Sequence, residues 1–278
     1  MKTLIPPDGS AVADPSSQSQ LVLCARDLRR AIAMERERSA QLTDALSHLK
    51  TLASQLEVAL AAEQDRRREL EQAQMDSLMR LMRASSFKDE ETGAHIERVS
   101  LYAVELAHQL GLPQDEVQII GAAAPMHDVG KVGLPDAIIC KRGLLTPEER
   151  RQMERHTTIG ADLLKGSVSP VIQAAWTIAL THHERWDGTG YPRGLRGDQI
   201  PLAGRIVMLA DQYDALRSHR CYKPAFSHDR TCSILLEGDN RTCPEHFDPQ
   251  LLTVFRQLEA RFDGIWASQF SVAAAAAA

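Results

Sequence analysis

No excess of positive charge marks this chain: 32 Lys and Arg against 37 Asp and Glu give a formal net charge of −5. That disfavours non-specific binding to a nucleic-acid polymer and leaves room only for a local basic pocket for a phosphate ligand. No apolar run approaches the roughly 20 residues that a membrane-spanning helix needs, and MKTLIPPDGS has no signal-peptide core, so a cytoplasmic protein is expected. The five cysteines, Cys24, Cys140, Cys221, Cys232 and Cys243, form no CxxC pair and are odd in number. Both a disulfide framework and a thiolate zinc site are disfavoured, and reduced, mostly packing cysteines are expected. Alternation with period two is also missing over any length that could make a sheet, so the body is expected to be all-α.

What is present is organised along the chain. Residues 1–20, rich in Pro, Ser, Gln and Asp, have little to bury and are expected to form a disordered tail. From Leu21 a 4-3 spacing picks out Leu21, Ala25, Leu28 and Ile32, then Leu42, Leu46, Leu49, Ala53, Leu56 and Leu60. Charged residues fill the outer positions, so residues 21–74 are expected to be a coiled-coil helix that pairs two chains in parallel and carries signals. Glu35, Ser39, Glu63 and Arg67 fall on the seam and soften it. Helical signals continue through 75–262: a segment stopping at Gly111-Leu112-Pro113, caps at Thr146-Pro147, Ser169-Pro170 and Asp248-Pro249, and helices over Leu202 to Arg217 and Ser227 to Leu236. Residues 263–278 are expected to be a C-terminal tail.

Against that background the acids and imidazoles fall into five clusters: Glu91 with His95 one helical turn apart, His127-Asp128, His156, His182-His183 and Asp211. One alone would mean little. Together, five imidazoles and three carboxylates exceed what a tetrahedral zinc site uses, and they suit two or more cations of the iron or manganese kind. An Asp beside a His can bridge two metals, the arrangement of phosphoester-hydrolysing pairs. The last histidines run into THHERWDGTGYPRGLRGD, too rich in Gly for a helix and therefore an ordered loop in close approach to something.

The blocks ETGAHIERV, HDVGK, MERHTTIGADLL, HHERWDGTGYPRGLRG, RIVMLADQYDALRSHRCYK and HFDP, in this order over roughly residues 75–262, resemble the HD-GYP domain, a branch of the HD metal-dependent phosphohydrolases. The resemblance implies an HD-type helical bundle that hydrolyses cyclic di-GMP to pGpG and, with a third metal or slow product release, on to GMP. The ligands it implies are Glu91, His95, His127, Asp128, His156, His182, His183 and Asp211, holding two or three Fe or Mn ions with Asp128 bridging. A hydroxide held between the metals is expected to attack phosphorus in line. By the same matching, Lys131 contacts a phosphate oxygen or assists the leaving 3′ oxygen; a salt bridge to a ligand carboxylate is its alternative. Arg220 and Lys223 correspond to a phosphate-holding pair, while Tyr191 and Pro192 shape the groove and serve partner contacts. Asp214, one turn after Asp211, is expected to orient a ligand or cap the local structure rather than bind metal. Gly204 departs from the Ala usual in the family. The competing reading is a weakly active or inactive sensor of a cyclic dinucleotide that signals through its coiled coil and GYP loop.

Overall fold

The computed structural model describes residues 15–86, 93–141, 143–219 and 225–276. Among them there is no strand, and the all-α expectation holds. The chain divides into two units, Met1–Gln72 and Ala73–Ala278. The first is carried by α1, Pro15–Ser86, whose 72 residues span about 108 Å at 1.5 Å per residue. No Gly or Pro follows Pro15 within it, and Pro is tolerated at a helix start because its missing N–H has no partner there. This helix begins inside the segment 1–20 expected to be a tail, and runs past residue 74 without a break. Leu21, Leu28, Leu42, Leu49 and Leu56 are 58% to 71% exposed along it. Its polar face carries ion pairs one turn apart, Arg66 to Glu63 and Arg67 to Glu71, which are screened by solvent and hold little. No described helix is long and apolar enough to cross a membrane.

The second unit takes the last turns of α1 and adds α2 (Gly93–Gln109), α3 (Gln114–Ala123), α4 (Asp136–Ile139), α5 (Pro147–Glu154), α6 (His156–Leu164), α7 (Pro170–Thr181), α8 (Leu202–Arg217), α9 (His228–Glu237) and α10 (Pro249–Ala276). Local chemistry sets their ends. Thr146 closes a capping box with Glu149 ahead of α5, Ser227 Oγ accepts from Arg230 N ahead of α9, and Gly238 ends α9 at φ 95°.

Only 5% of the residues are aromatic, and four of them are spent in one place. Tyr102 of α2 stacks on Phe262 of α10 at 4.4 Å, and Phe262 meets Tyr213 of α8 and Phe255 of α10 edge-on at 5.0 and 5.1 Å. All four are fully buried, and each such pair adds about 0.5–1.5 kcal/mol to the area it removes from water. The cluster locks α2, α8 and α10 together. Residues 263–276 are not a tail but the continuation of α10: Ile265 is buried, and Trp266 lies over the Arg98 guanidinium at 4.3 Å. The apolar helical period does not stop at residue 262, and the Ala run beyond it favours helix.

Candidate metal centre

The second unit gathers seven of the eight expected ligands into two groups, Asp128 with His156, His182 and His183, and His95 with His127 and Asp211. Within each group one ligand atom per residue lies within 4.8 Å of the others. Asp128 faces both groups. Its Oδ2 is 3.2 Å from His127 Nε2, while its Oδ1 is 3.2 Å from His156 Nε2 and 3.6 Å from His182 Nε2. Asp211 Oδ1 lies 3.6 Å from His95 Nε2 and 3.9 Å from His127 Nε2. Glu91, Arg220 and Lys223 fall outside the described residues.

Helix ends deliver most of these groups. His127 and Asp128 occupy the break between two 3-10 turns, Ala124–Met126 and Val129–Gly133; His156 opens α6, and His182-His183 close α7. The break is held against α6 by a backbone contact that only glycine permits. A Cβ on Gly130 would come 1.9 Å from the His156 carbonyl oxygen and 2.4 Å from Gly160 N. The glycine after the His-Asp pair therefore sets how near His156 can come to Asp128.

Four imidazoles are committed at Nδ1. His127 donates to Ala124 O at 2.9 Å, His156 to Met153 O at 2.7 Å, His182 to Ile178 O at 3.0 Å, and His95 to Asp214 Oδ2 at 2.8 Å. A carbonyl or carboxylate oxygen only accepts, so Nδ1 carries the proton and Nε2 turns a lone pair inward. These lone pairs meet carboxylate oxygens, of which Asp128 Oδ1 and Asp211 Oδ1 are shielded from solvent and accept no hydrogen bond. Lone pairs facing lone pairs repel, and divalent cations between them remove the repulsion. Protonation states agree with that use. Burial drives the pKa of His156 down to about 4 and that of His183 well below its usual value, so both are neutral near pH 7. Burial opposes the ionisation of Asp128, yet Lys131 outweighs it and holds its pKa well below the usual carboxylate range. Lys131 Nζ sits 2.7 Å from Asp128 Oδ2, the salt-bridge geometry of the two expected for it.

Comparison with known proteins agrees with this constellation. The HD domain family profile matches residues 28–251, most of the chain. The chain belongs to the HD domain family. It is 43% identical over 235 residues to a cyclic di-GMP phosphodiesterase response regulator of Xanthomonas campestris pv. campestris, covering 84% of this chain and 60% of that protein. It is 40% identical over 200 residues to a 3′3′-cGAMP-specific phosphodiesterase of Vibrio cholerae, covering 72% of this chain and 38% of that one. The chain thus spans less than two thirds of the length of either relative. A crystal structure of a cyclic GMP-AMP specific phosphodiesterase from the same species shares the fold, with a TM-score of 0.50 at 20% identity over 70% of this chain and 52% of that one. The HD domain is a metal-dependent family, and the two His/Asp groups are where this HD domain could hold its metals.

Around the centre lie supports that sequence reading missed in part. Asp214, one turn after Asp211, is wholly buried; its Oδ1 accepts from Arg98 Nε at 2.6 Å and its Oδ2 from Arg98 Nη2 and His95 Nδ1, both at 2.8 Å. Its contact with His95 is the geometry an orienting residue would have, and the part of Arg98 was not legible in the sequence. Glu184, the third residue of HHE, is 1% exposed and accepts from Arg193 N and Leu195 N, one at each carboxylate oxygen, both at 2.8 Å. It clasps the loop 184–195 from inside. Gly190 completes the turn, since a Cβ there would lie 2.3 Å from Arg185 N. Tyr191 stacks on His183 at 4.7 Å, backing a candidate ligand, whereas Pro192 is exposed. The family departure at Gly204 has a local reason: a Cβ would meet Thr181 Oγ1 at 2.1 Å, immediately before His182.

Proposed function

We propose that this HD domain is a metal-dependent phosphodiesterase that hydrolyses cyclic di-GMP to pGpG, and on to GMP when a third cation is held. The observation that carries the reading is Asp128, whose two oxygens face two separate groups of inward-turned imidazole nitrogens. His95, His127, Asp128 and Asp211 would hold one cation, and Asp128, His156, His182 and His183 a second, with Glu91 assigned to a third. The donors are all nitrogen and oxygen, the class that iron and manganese accept. Cations held there supply Lewis acidity, withdrawing charge from phosphoryl oxygens and making water nucleophilic near neutral pH.

The chain's own residues do the rest. Asp128 stays ionised through Lys131, and Lys131 is close enough to exchange that carboxylate for a phosphate oxygen of the substrate. Arg220 and Lys223 are assigned to the second phosphate. Tyr191 fixes the His183 ring, and Pro192 with the neighbouring loop offers a rim for substrate or a signalling partner. The exposed leucines of α1 are assigned to a parallel coiled coil with a second copy, because a seam of that length left in water forgoes its burial. Cyclic di-GMP is preferred over cyclic GMP-AMP because the relative named for it matches more of the chain at higher identity.

The test is anaerobic purification with iron or manganese supplied, metal quantification per chain, and chromatography of products from cyclic di-GMP and 3′3′-cGAMP, beside a His127→Ala/Asp128→Ala control. Turnover with two or three metals, lost in the control, supports the hydrolase, and the faster dinucleotide names the substrate. Fully metallated protein that binds either nucleotide without cleaving it would make it a sensor.

A further inference from the structure

Beyond the HD centre, the described residues hold one more group of metal-ligating side chains, beside Tyr213. His228 and Cys232 lie one turn apart on α9, and Glu259 and Asp263 one turn apart on α10, so each helix turns an i, i+4 pair to the other. One ligand atom each from His228, Cys232 and Glu259 lies within 4.8 Å of the other two. Cys232 Sγ is 3.7 Å from both His228 ring nitrogens. Around a tetrahedral zinc ion, with bonds of about 2.3 Å to sulfur and about 2.0 Å to nitrogen, the sulfur and nitrogen stand about 3.5 Å apart. The distance from the sulfur to Nε2 is close to that edge, and a small turn of the His228 ring would aim Nε2 at a shared ion. Asp263 Oδ1 stands beside this set, 3.9 Å from His228 Nδ1.

The surroundings favour a cation. Burial, Glu259, Asp229 and Asp263 push the Cys232 thiol up to about 12 against Arg217, which pairs with Asp263 at 3.0 Å, so a divalent ion bound to the sulfur has to displace its proton. A divalent ion there offsets the negative charge that these carboxylates carry beyond what Arg217 neutralises. His228 Nδ1 already meets the Tyr213 hydroxyl at 2.9 Å, which leaves Nε2 as the ligating atom and supplies the outer hydrogen bond that metal-bound histidines use. Cys232 is buried, while the Asp263 side chain is 46% exposed and gives an ion access from solvent.

We propose that His228, Cys232 and Glu259 form a second metal site of the zinc class that ties α9 to α10. Its thiolate distinguishes it from the HD centre, whose donors are all nitrogen and oxygen and suit harder ions. Sequence spacing could not show it, because the fold joins one cysteine to acids about 30 residues away.

Cobalt(II) titration of the full chain tests the proposal, because only cysteine ligation produces a thiolate-to-cobalt charge-transfer band in the near ultraviolet and the HD centre contains no cysteine. The expected result is that band saturating at one cobalt per chain, displaced by zinc, lost in Cys232→Ser and weakened at least tenfold in affinity by Glu259→Gln. In a His127→Ala/Asp128→Ala background one zinc per chain is still bound and raises the melting temperature. No band at saturating cobalt, or a band that survives Cys232→Ser, would overturn the site. Should Cys232→Ser fold poorly, Glu259→Gln decides alone: unchanged cobalt affinity in that variant refutes the proposal.

Discussion

Asp214→Asn is the substitution that separates orientation of a metal ligand from ordinary core packing. In the wild type one carboxylate takes both Arg98 nitrogens and the His95 ring N–H, all within 2.8 Å and out of contact with water. An amide keeps the shape but offers one acceptor oxygen and an NH2 that faces a donor. Arg98 then loses its counter-charge in a buried place; removing one partner of such a pair costs about 3–5 kcal/mol. For a unit of this size, at about 2–4 °C per kcal/mol, the melting temperature of the metal-free protein should fall by roughly 6–20 °C. His95 loses the acceptor that fixes its tautomer, and losing such an outer partner weakens metal binding by about 10- to 100-fold. The assay pairs thermal unfolding with manganese titration. A large drop in melting temperature with unchanged manganese affinity would reduce Asp214 to a structural role, and no change in either would refute the reasoning altogether.

Three further outcomes follow from the same geometry. Glu184→Gln leaves one of the two backbone donors at Arg193 and Leu195 facing an NH2, an unsatisfied contact worth about 1–3 kcal/mol; amide exchange at those residues should quicken while metal content stays at the wild-type level, and wild-type exchange would sink the clasp. The pKa of His156 is depressed to about 4 in the folded chain against an ordinary 6.5, so the unfolded state binds the extra proton between those values. Stability of the metal-free protein should therefore fall as pH drops from about 6.5 to about 4, and Asp128, also depressed, adds a loss of the same sign at lower pH; a melting temperature flat across that window contradicts it. Leu49→Glu with Leu56→Glu should convert a dimer to a monomer in light scattering, and a dimer that persists would remove the coiled coil.

Much of the fold was legible because its signals are local. Thr146-Pro147, Ser227 and Gly238 announce helix ends through bonds made within four residues, and the structure sets α5 and α9 between them. The clustering of His127, Asp128, His156, His182 and His183 followed from chemistry in known motifs. What was not legible depends on tertiary contact. Nothing in GIWASQF says that Trp266 will cover Arg98, so the end of α10 read as a tail. Glu184 looked like part of a polar loop, and its role rests on receiving two backbone N–H groups from residues nine and eleven positions on. The glycines illustrate both cases. The Gly-rich loop that holds Gly190 was expected to make a close approach, whereas the clash that Gly204 avoids with Thr181 needs the packing of α8 against the end of α7.

The two ligand groups also differ in what holds them, and this bears on which is lost first. His127, His156 and His182 each fix their Nδ1 on a carbonyl three or four residues earlier in the chain. Those contacts survive as long as the local turn does. His95 alone relies on a remote carboxylate, Asp214, which Arg98 holds and Trp266 of α10 covers in turn. Fraying of the end of α10 therefore loosens His95 while His156 and His182 of the other group keep their backbone ties. Trp266→Ala should lower occupancy at the His95, His127 and Asp211 group ahead of the other, so a chain saturated at two metals would retain one at limiting manganese. Simultaneous loss of both would mean that the shared Asp128, not the support of His95, governs the order.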